Sequence, residues 1–172
     1  KTGGFTLNRA SNTTRQPGST FKILSTYSPA LDAAGMTLAT VQDNAPYSYT
    51  SGKQLKNYNG KYTGFTTIRQ AIIDSINIVA VKTLKDITPK LGYDYLLNFG
   101  FTSLSNKDIV ESMALGGISK GVSNLELNAA YATIANGGTY TKPRFYTKIL
   151  DREGNVIIDN TPQTHTVLKA TT

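Results

Sequence analysis

The sequence predicts an α+β fold in which helices dominate. Three observations carry that reading. Phe21, Leu24, Tyr27 and Leu31 recur at helical spacing, two capping-box signatures open further runs of helical period, and two short β-rich runs near the end flank Glu153-Gly154-Asn155. At 172 residues the chain is long enough for one core, and with no cysteine it has neither disulfides nor thiolate chemistry.

The first helix is expected from Ser19 to about Ala33, ended by Ala34-Gly35, with its apolar stripe buried. Residues 36–65 are rich in Gly, Asn, Ser and Tyr with little periodicity, which reads as an irregular excursion holding at most one short hairpin. Thr67-x-x-Gln70 is a capping-box pattern that opens a helix through Ile68, Ile72 and Ile73 toward Ser75. A second helix follows from Asn77 to about Ile87 and stops before Pro89. Tyr93 to Phe99 is read as a short helix closed by Gly100, and the stretch to Gly121 as turns. Ser123-x-x-Glu126 is the second capping box; it opens a helix with Leu127, Ala130, Tyr131 and Ile134 on its buried face and Gly137-Gly138 at its end. Phe145 to Asp151 and Val156 to Asp159 are expected to pair as a hairpin, and His165 falls in a polar tail with neither a catalytic nor a metal role.

Chemistry concentrates at Pro17-Gly18-Ser19-Thr20-Phe21-Lys22. A Pro-Gly turn feeds a serine into the first turn of a helix, and a lysine follows one turn later. Residues three apart share a helical face, so Lys22 can reach the hydroxyl of Ser19 and, when neutral, accept its proton. The positive end of the helix disfavours an ammonium and favours an alkoxide. Taken alone, Ser-x-x-Lys arises about once by chance in a chain of this length, and a helix N-cap followed by a solvated lysine has the same letters.

Ser75-Ile76-Asn77 supplies a second hydroxyl and a carboxamide within the apolar run Ile72, Ile73, Ile76, Ile78, Val79, Val81. Buried polar groups need partners, and an active-site lysine together with a substrate amide would serve. An ordinary helix break with satisfied polar groups is the plainer alternative.

In combination these stretches resemble the transpeptidase domain of class A, bifunctional penicillin-binding proteins. The likeness is carried by Asn8-Arg9-Ala10, Arg15 to Lys22, Ser75 to Val81, Leu115-Gly116-Gly117, Gly121-Val122-Ser123 and Ala135 to Tyr140, in family order from about Asn8 to Pro143. It implies the penicillin-binding protein and serine beta-lactamase fold, here incomplete: a helical lobe over about 15–138, a sheet-lobe hairpin over about 144–160, and the remaining strands beyond Thr172. The family's third motif, Lys-Thr-Gly followed by Thr or Ser, belongs on a strand downstream of the other two. Lys1-Thr2-Gly3 stands ahead of Ser19 and is followed by Gly4, so it is read as a coincidence. That strand would supply one oxyanion-hole amide, and losing one such donor costs about a hundred- to a thousandfold in rate. The segment alone is therefore expected to acylate poorly.

The resemblance implies a D,D-transpeptidase that crosslinks peptidoglycan stem peptides through a serine acyl-enzyme and is acylated by beta-lactams. Ser19 is then the nucleophile, Lys22 its base, Ser75 a proton relay toward the leaving nitrogen and Asn77 a ligand for the donor amide, with no cofactor and no metal. The partners are stem peptides, beta-lactam antibiotics and, for the missing strands, other segments of the same protein or another chain. A D,D-carboxypeptidase would use the same groups, and a beta-lactam-sensing or scaffold domain would keep the acylable serine without turnover. A class A beta-lactamase fits less well: its Glu-x-x-Leu-Asn pattern has no counterpart except Asn124-Leu125-Glu126-Leu127-Asn128, with asparagine at the base position, and Ile76 replaces its usual aspartate.

The formal charge of +7 is spread over scattered lysines rather than gathered in a stripe. Tyr47, Tyr49, Tyr58 and Tyr62 could serve as stacking platforms, but the dispersed charge argues against nucleic acid and suits anionic wall polymers or phospholipid headgroups. No apolar run reaches membrane-spanning length and no signal peptide is present. The expected location is the extracytoplasmic face of the bacterial membrane, with any anchor outside this segment.

Overall fold

The computed structural model describes residues 6–172, so Lys1-Thr2-Gly3 lies outside the described residues. Strand β1, Thr14–Arg15, leads into a 3₁₀ turn at Gly18–Thr20, a π-helical stretch at Lys22–Tyr27 and helix α1, Ser28–Asp32. The predicted first helix thus exists over nearly its expected span but changes pitch twice. Pro29 offers a reason, because it lacks the N–H that would close a regular turn back onto Ser25. Ser28 N–H bonds Ile23 O, five residues back, and the chain enters α1 through that wide turn. Phe21, Leu24 and Tyr27 are buried as the spacing predicts, whereas Leu31 is only partly covered.

Residues 36–65 hold more structure than their composition suggests. Strand β2 (Val41–Asn44) pairs antiparallel with β5 (Gly64–Thr67), and between them β3 (Tyr47–Ser48) pairs with β4 (Gln54–Leu55). Helix α2, Ile68–Ile73, starts where predicted, with the Thr67 side chain accepting from Gln70 N. Only half of the expected capping box forms, because the Gln70 amide turns to Asp74. Helix α3 spans Asn77–Ile87 as expected. Helix α4 begins earlier than predicted and spans Pro89–Asn98, since Thr88 caps Leu91 N and Pro89 fills a first-turn position that needs no N–H.

The stretch before Gly121 contains 3₁₀ turns at Asn106–Asp108 and Glu111–Leu115. Strand β6, Val122–Ser123, pairs antiparallel with β1 and leads into helix α5, Asn124–Ala135. Its capping box is complete, with Ser123 and Glu126 bonding each other's backbone N–H. The buried face of α5 departs from expectation. Ala129, Ala130 and Thr133 are buried, while Tyr131 and Ile134 are exposed, because the helix approaches the core through its small residues.

Strand β7, Thr139–Thr141, is followed by the predicted hairpin, β8 (Lys148–Leu150) with β9 (Val156–Asp159). His165 belongs to a strand rather than a loose tail: β10, Thr164–Thr166, pairs antiparallel with β7. The His165 ring lies 5.0 Å from that of Tyr140, and Nε2 meets Asn98 O at 2.8 Å. The lobe expected to be all helical therefore contains six short strands, β1 to β6, and the sheet elements are separate two-stranded ladders.

One apolar core gathers Phe21, Leu24, Ile78, Val81, Leu84 and Leu96 around the π-helical stretch, α3 and α4. Gly92 of α4 lets that stretch come close. A Cβ there would lie 2.3 Å from Ser25 O and 2.7 Å from Leu84 Cδ1. Among the described residues, no helix is long and apolar enough to cross a membrane.

Candidate active site

Ser19 sits in the 3₁₀ turn at the head of the first helical run, with its side chain exposed. Gly18 precedes it at φ +59, a conformation glycine adopts without cost. The turn is backed by the loop that carries Leu115-Gly116-Gly117. A Cβ on Gly116 would lie 2.4 Å from Gly18 N, so backbone packs on backbone here. Just upstream, the Gln16 side chain acts as an extra strand rung: its Oε1 accepts from Ile118 N at 3.1 Å and its Nε2 donates to Ile118 O. Gly121 faces Arg15 with a would-be Cβ contact of 2.5 Å. The glycine motifs of the sequence thus form the floor under the serine turn.

Asp108 ties that floor together. Its carboxylate is buried and accepts from the N–H and hydroxyl of both Ser105 and Ser119. Burial alone would raise its pKa, but those hydrogen bonds outweigh it and hold the carboxyl below its ordinary value.

Lys22, one turn after Ser19, is 3% exposed. Its Nζ donates to Ser75 O, to Ser75 Oγ at 3.0 Å and to Asn77 Oδ1 at 2.7 Å. Burial lowers its pKa to about 8, so roughly a tenth of the amine is neutral at pH 7. A neutral amine suits the same cage: two N–H groups go to Ser75 O and Asn77 Oδ1, and the Ser75 hydroxyl can turn to donate to the nitrogen lone pair. The structure therefore brings Lys22, Ser75 and Asn77 together. Ser19 shares the helical run of Lys22, but among the described residues no hydrogen bond joins its Oγ to Lys22 Nζ.

Ser75 occupies the turn between α2 and α3 at φ 51, a left-handed conformation that costs a serine about 1 kcal/mol. That turn aims both its carbonyl and its hydroxyl at Lys22. Asn77 opens α3, and its Nδ2 donates to Lys56 O at 3.0 Å. The apolar run around it is less uniformly buried than expected, since Ile73 is exposed while Ile76, Ile78, Val79 and Val81 are covered.

The residue that sequence reasoning missed is Asn57, in the loop between β4 and β5. Its Oδ1 accepts from Asn77 N and Ile78 N, each at 3.1 Å, and caps α3 from outside the helix. Its Nδ2 donates to Asn44 Oδ1 and Lys61 O. A signal was present in the sequence. Ile76, the residue before α3, has no side chain able to cap it, so the orphan N–H groups of that helix need a partner from elsewhere.

Among the described residues, no cluster of His, Cys, Asp or Glu is placed to hold a metal ion. Glu126, the only acidic group in the sequence pattern considered for a deacylating base, is committed to structure. Its two oxygens accept from Thr102 N and Oγ1 and from Ser123 N and Oγ.

A serine exposed at the head of a helix, a buried lysine one turn on and a Ser-x-Asn turn gripping that lysine are the groups from which lysine-assisted serine acyl transfer can be built. The sequence profile of the penicillin-binding protein transpeptidase domain matches residues 2–172, and the chain belongs to that family. It is 35% identical over 170 residues to penicillin-binding protein 1A of Clostridium botulinum, covering 92% of this chain and 20% of that protein. It is 40% identical over 146 residues to penicillin-binding protein 1F of Bacillus subtilis, covering 85% and 20%. Its fold is similar to PonA1 of Mycobacterium tuberculosis in complex with penicillin V, with TM-score 0.82, 22% identity, and coverage of 96% of this chain and 46% of that one. The chain thus spans about a fifth of the length of the relatives it matches.

Proposed function

We propose that this chain carries the nucleophile and base of a serine D,D-transpeptidase that crosslinks peptidoglycan stem peptides and is acylated by beta-lactams. The observation that carries the reading is the buried Lys22 amine, held by Ser75 and Asn77 one helical turn from the exposed Ser19.

Ser19 Oγ attacks the carbonyl carbon between the two terminal D-alanines of a donor stem, and its proton passes to neutral Lys22. The C–N bond breaks, Ser75 relays a proton to the departing D-alanine nitrogen, and an ester remains on Ser19. An amine of a neighbouring stem attacks that ester, and Ser19 recovers its proton as the new peptide bond forms. Asn77 Nδ2 faces the loop at Lys56, the edge along which the donor amide would lie. The N–H groups of the first helical turn have no intrahelical partner and can face the developing oxyanion. A beta-lactam places its strained amide where the donor amide goes and esterifies the same oxygen. The PonA1 complex with penicillin V, on the same fold, is in keeping with that step.

The substrate lies outside the cytoplasmic membrane, so the site works on the extracytoplasmic face. The engagement of Glu126 favours this reading over a class A beta-lactamase, which needs a free carboxylate to activate water.

The test uses the protein at its natural length with a fluorescent penicillin. Wild-type protein should be labelled on the peptide containing Ser19, and Ser19→Ala should abolish labelling with an unchanged melting curve. Undiminished labelling of Ser19→Ala would overturn the assignment.

A further inference from the structure

We infer that Asn57 is a positioning residue for acylation: by capping α3 from the β4–β5 loop, it fixes the Asn77 carboxamide on the Lys22 amine and the donor edge of the site. The inference rests on the function proposed above and extends it to a residue outside the three-residue turn.

Helix α3 begins directly after the left-handed Ser75 and the apolar Ile76, neither of which caps it. Asn57 Oδ1 satisfies the first two N–H groups together. One of these belongs to Asn77, whose own side chain spans from Lys22 Nζ to Lys56 O. The same loop therefore holds Asn77 at two points, the N–H through the Asn57 side chain and the carboxamide through the Lys56 carbonyl. If the loop shifts, the Lys22 amine loses its 2.7 Å partner.

Asn57 is itself locked from behind. It is buried, and its Nδ2 is shared between Asn44 Oδ1 at 2.7 Å and Lys61 O at 2.8 Å. Asn44, also buried, passes the restraint to Thr63 at 2.8 Å, and Thr63 meets Thr66 of β5. A polar chain thus runs from the β2–β5 ladder to the Lys22 cage. Such a chain specifies geometry when every member is satisfied, as here.

The electrostatic surroundings of Lys22 leave this cage as its main control. The acidic groups on neighbouring elements have other partners: Asp74 meets Gln70, Glu111 meets Thr50 and Lys85, and Asp43 meets Lys82. Lys56 and Lys61 on the loop are exposed, and the Tyr27 phenol on the helix of Lys22 is buried and held protonated. A carboxylate placed at position 57 would be a new charge beside the cage.

The experiment measures the second-order rate of Ser19 labelling by a fluorescent penicillin against pH, in the protein at its natural length. Asn57→Ala should lower the rate roughly ten- to a hundredfold, the scale of a misplacement near 1 Å. Thr133→Ala, which removes a buried hydrogen bond within α5 and belongs to neither the polar chain nor the Lys22 cage, should stay within about threefold of wild type even where its melting temperature falls as far. Asn57→Asp keeps the acceptor for Asn77 and Ile78 but stabilises the Lys22 ammonium, so the rise of rate with pH should move up by about one unit. The rate should recover above that rise. If Asn57→Ala does not fold, the Asn57→Asp profile decides: an upward shift supports the inference and an unchanged profile overturns it. Wild-type labelling together with Asn57 variants that match Thr133→Ala would overturn the inference alone. Absence of labelling in the wild type would overturn the proposed function and this inference with it.

Discussion

At the scale of single residues, Lys22 carries the clearest pH signature. Burial moves its pKa from 10.5 to about 8, and only the neutral amine can take the Ser19 proton. Raising the pH from 7 to 9 takes the neutral fraction from about a tenth to about nine tenths, so acylation should accelerate about ninefold. Labelling rates across that interval check it, and a flat profile contradicts it. Stability should move the same way. Below pH 8 the lysine is charged in both folded and unfolded states, and folding carries its desolvation cost. Between about 8 and 10.5 the unfolded chain holds a proton that the folded one has shed, so unfolding free energy rises with pH. Ser75 offers a second test at this scale. Its φ of 51 favours glycine over any residue with a Cβ. Ser75→Gly and Ser75→Ala both remove the hydroxyl, so their difference isolates the backbone. The glycine variant should be more stable by about 1 kcal/mol in chemical denaturation. Equal stabilities would rule out a strained turn.

At the scale of elements, the helix that carries Ser19 and Lys22 works through its irregular pitch. A Pro29-directed wide turn carries Lys22 into the core, and α4 fits against that turn only because position 92 has no side chain. Gly92→Ala should cost about 1–3 kcal/mol, since the new methyl would meet a fixed carbonyl as well as the flexible Leu84 end. Thermal melting checks this, and an unchanged melting temperature would mean that α4 is free to slide. The same elements show what could be read in advance. Helices α2, α3 and α5 were legible because capping residues and prolines are local signals, and the meeting of Lys22 with Ser75 and Asn77 because each stands in a short motif. The π-helical stretch was not legible, because a single widened turn shifts an apolar spacing of three to four residues too little to register. The burial of α5 is opaque for another reason: large apolar residues predict the inward face, whereas its alanines permit the close approach. The β2–β5 excursion and Asn57 were opaque because their pairing is long-range in sequence. Asn57 reaches Asn77 across 20 positions; the uncapped start of α3 announces that a partner is needed but not which residue supplies it.

At the scale of the whole molecule, the site is built from one side. The helical run supplies Ser19 and Lys22, the α2–α3 turn supplies Ser75 and Asn77, and the glycine loop supplies the floor, while Ser19 remains exposed. The outer hairpin is also uncovered: Ile149, Leu150, Val156, Ile157 and Ile158 are all exposed, on both faces of β8 and β9. An isolated two-stranded ladder with both faces in water is marginal, so its amides should exchange with solvent far faster than those of α3. Hydrogen exchange of the 172-residue chain checks this, and equal protection would show the hairpin to be self-sufficient. Catalysis should follow the same asymmetry. The family's remaining motif is expected on a strand that would face Ser19 and add a second donor for the oxyanion and a cation for the substrate carboxylate. Prepared as these 172 residues alone, the chain should react with a labelled penicillin at least about a hundredfold more slowly than in a protein that includes that strand, the scale of one lost oxyanion donor. The comparison is direct, because the lysine cage is complete in both. Rapid stoichiometric labelling of the short chain would mean that this half-site is sufficient, and that the facing strand selects substrates rather than stabilising the transition state.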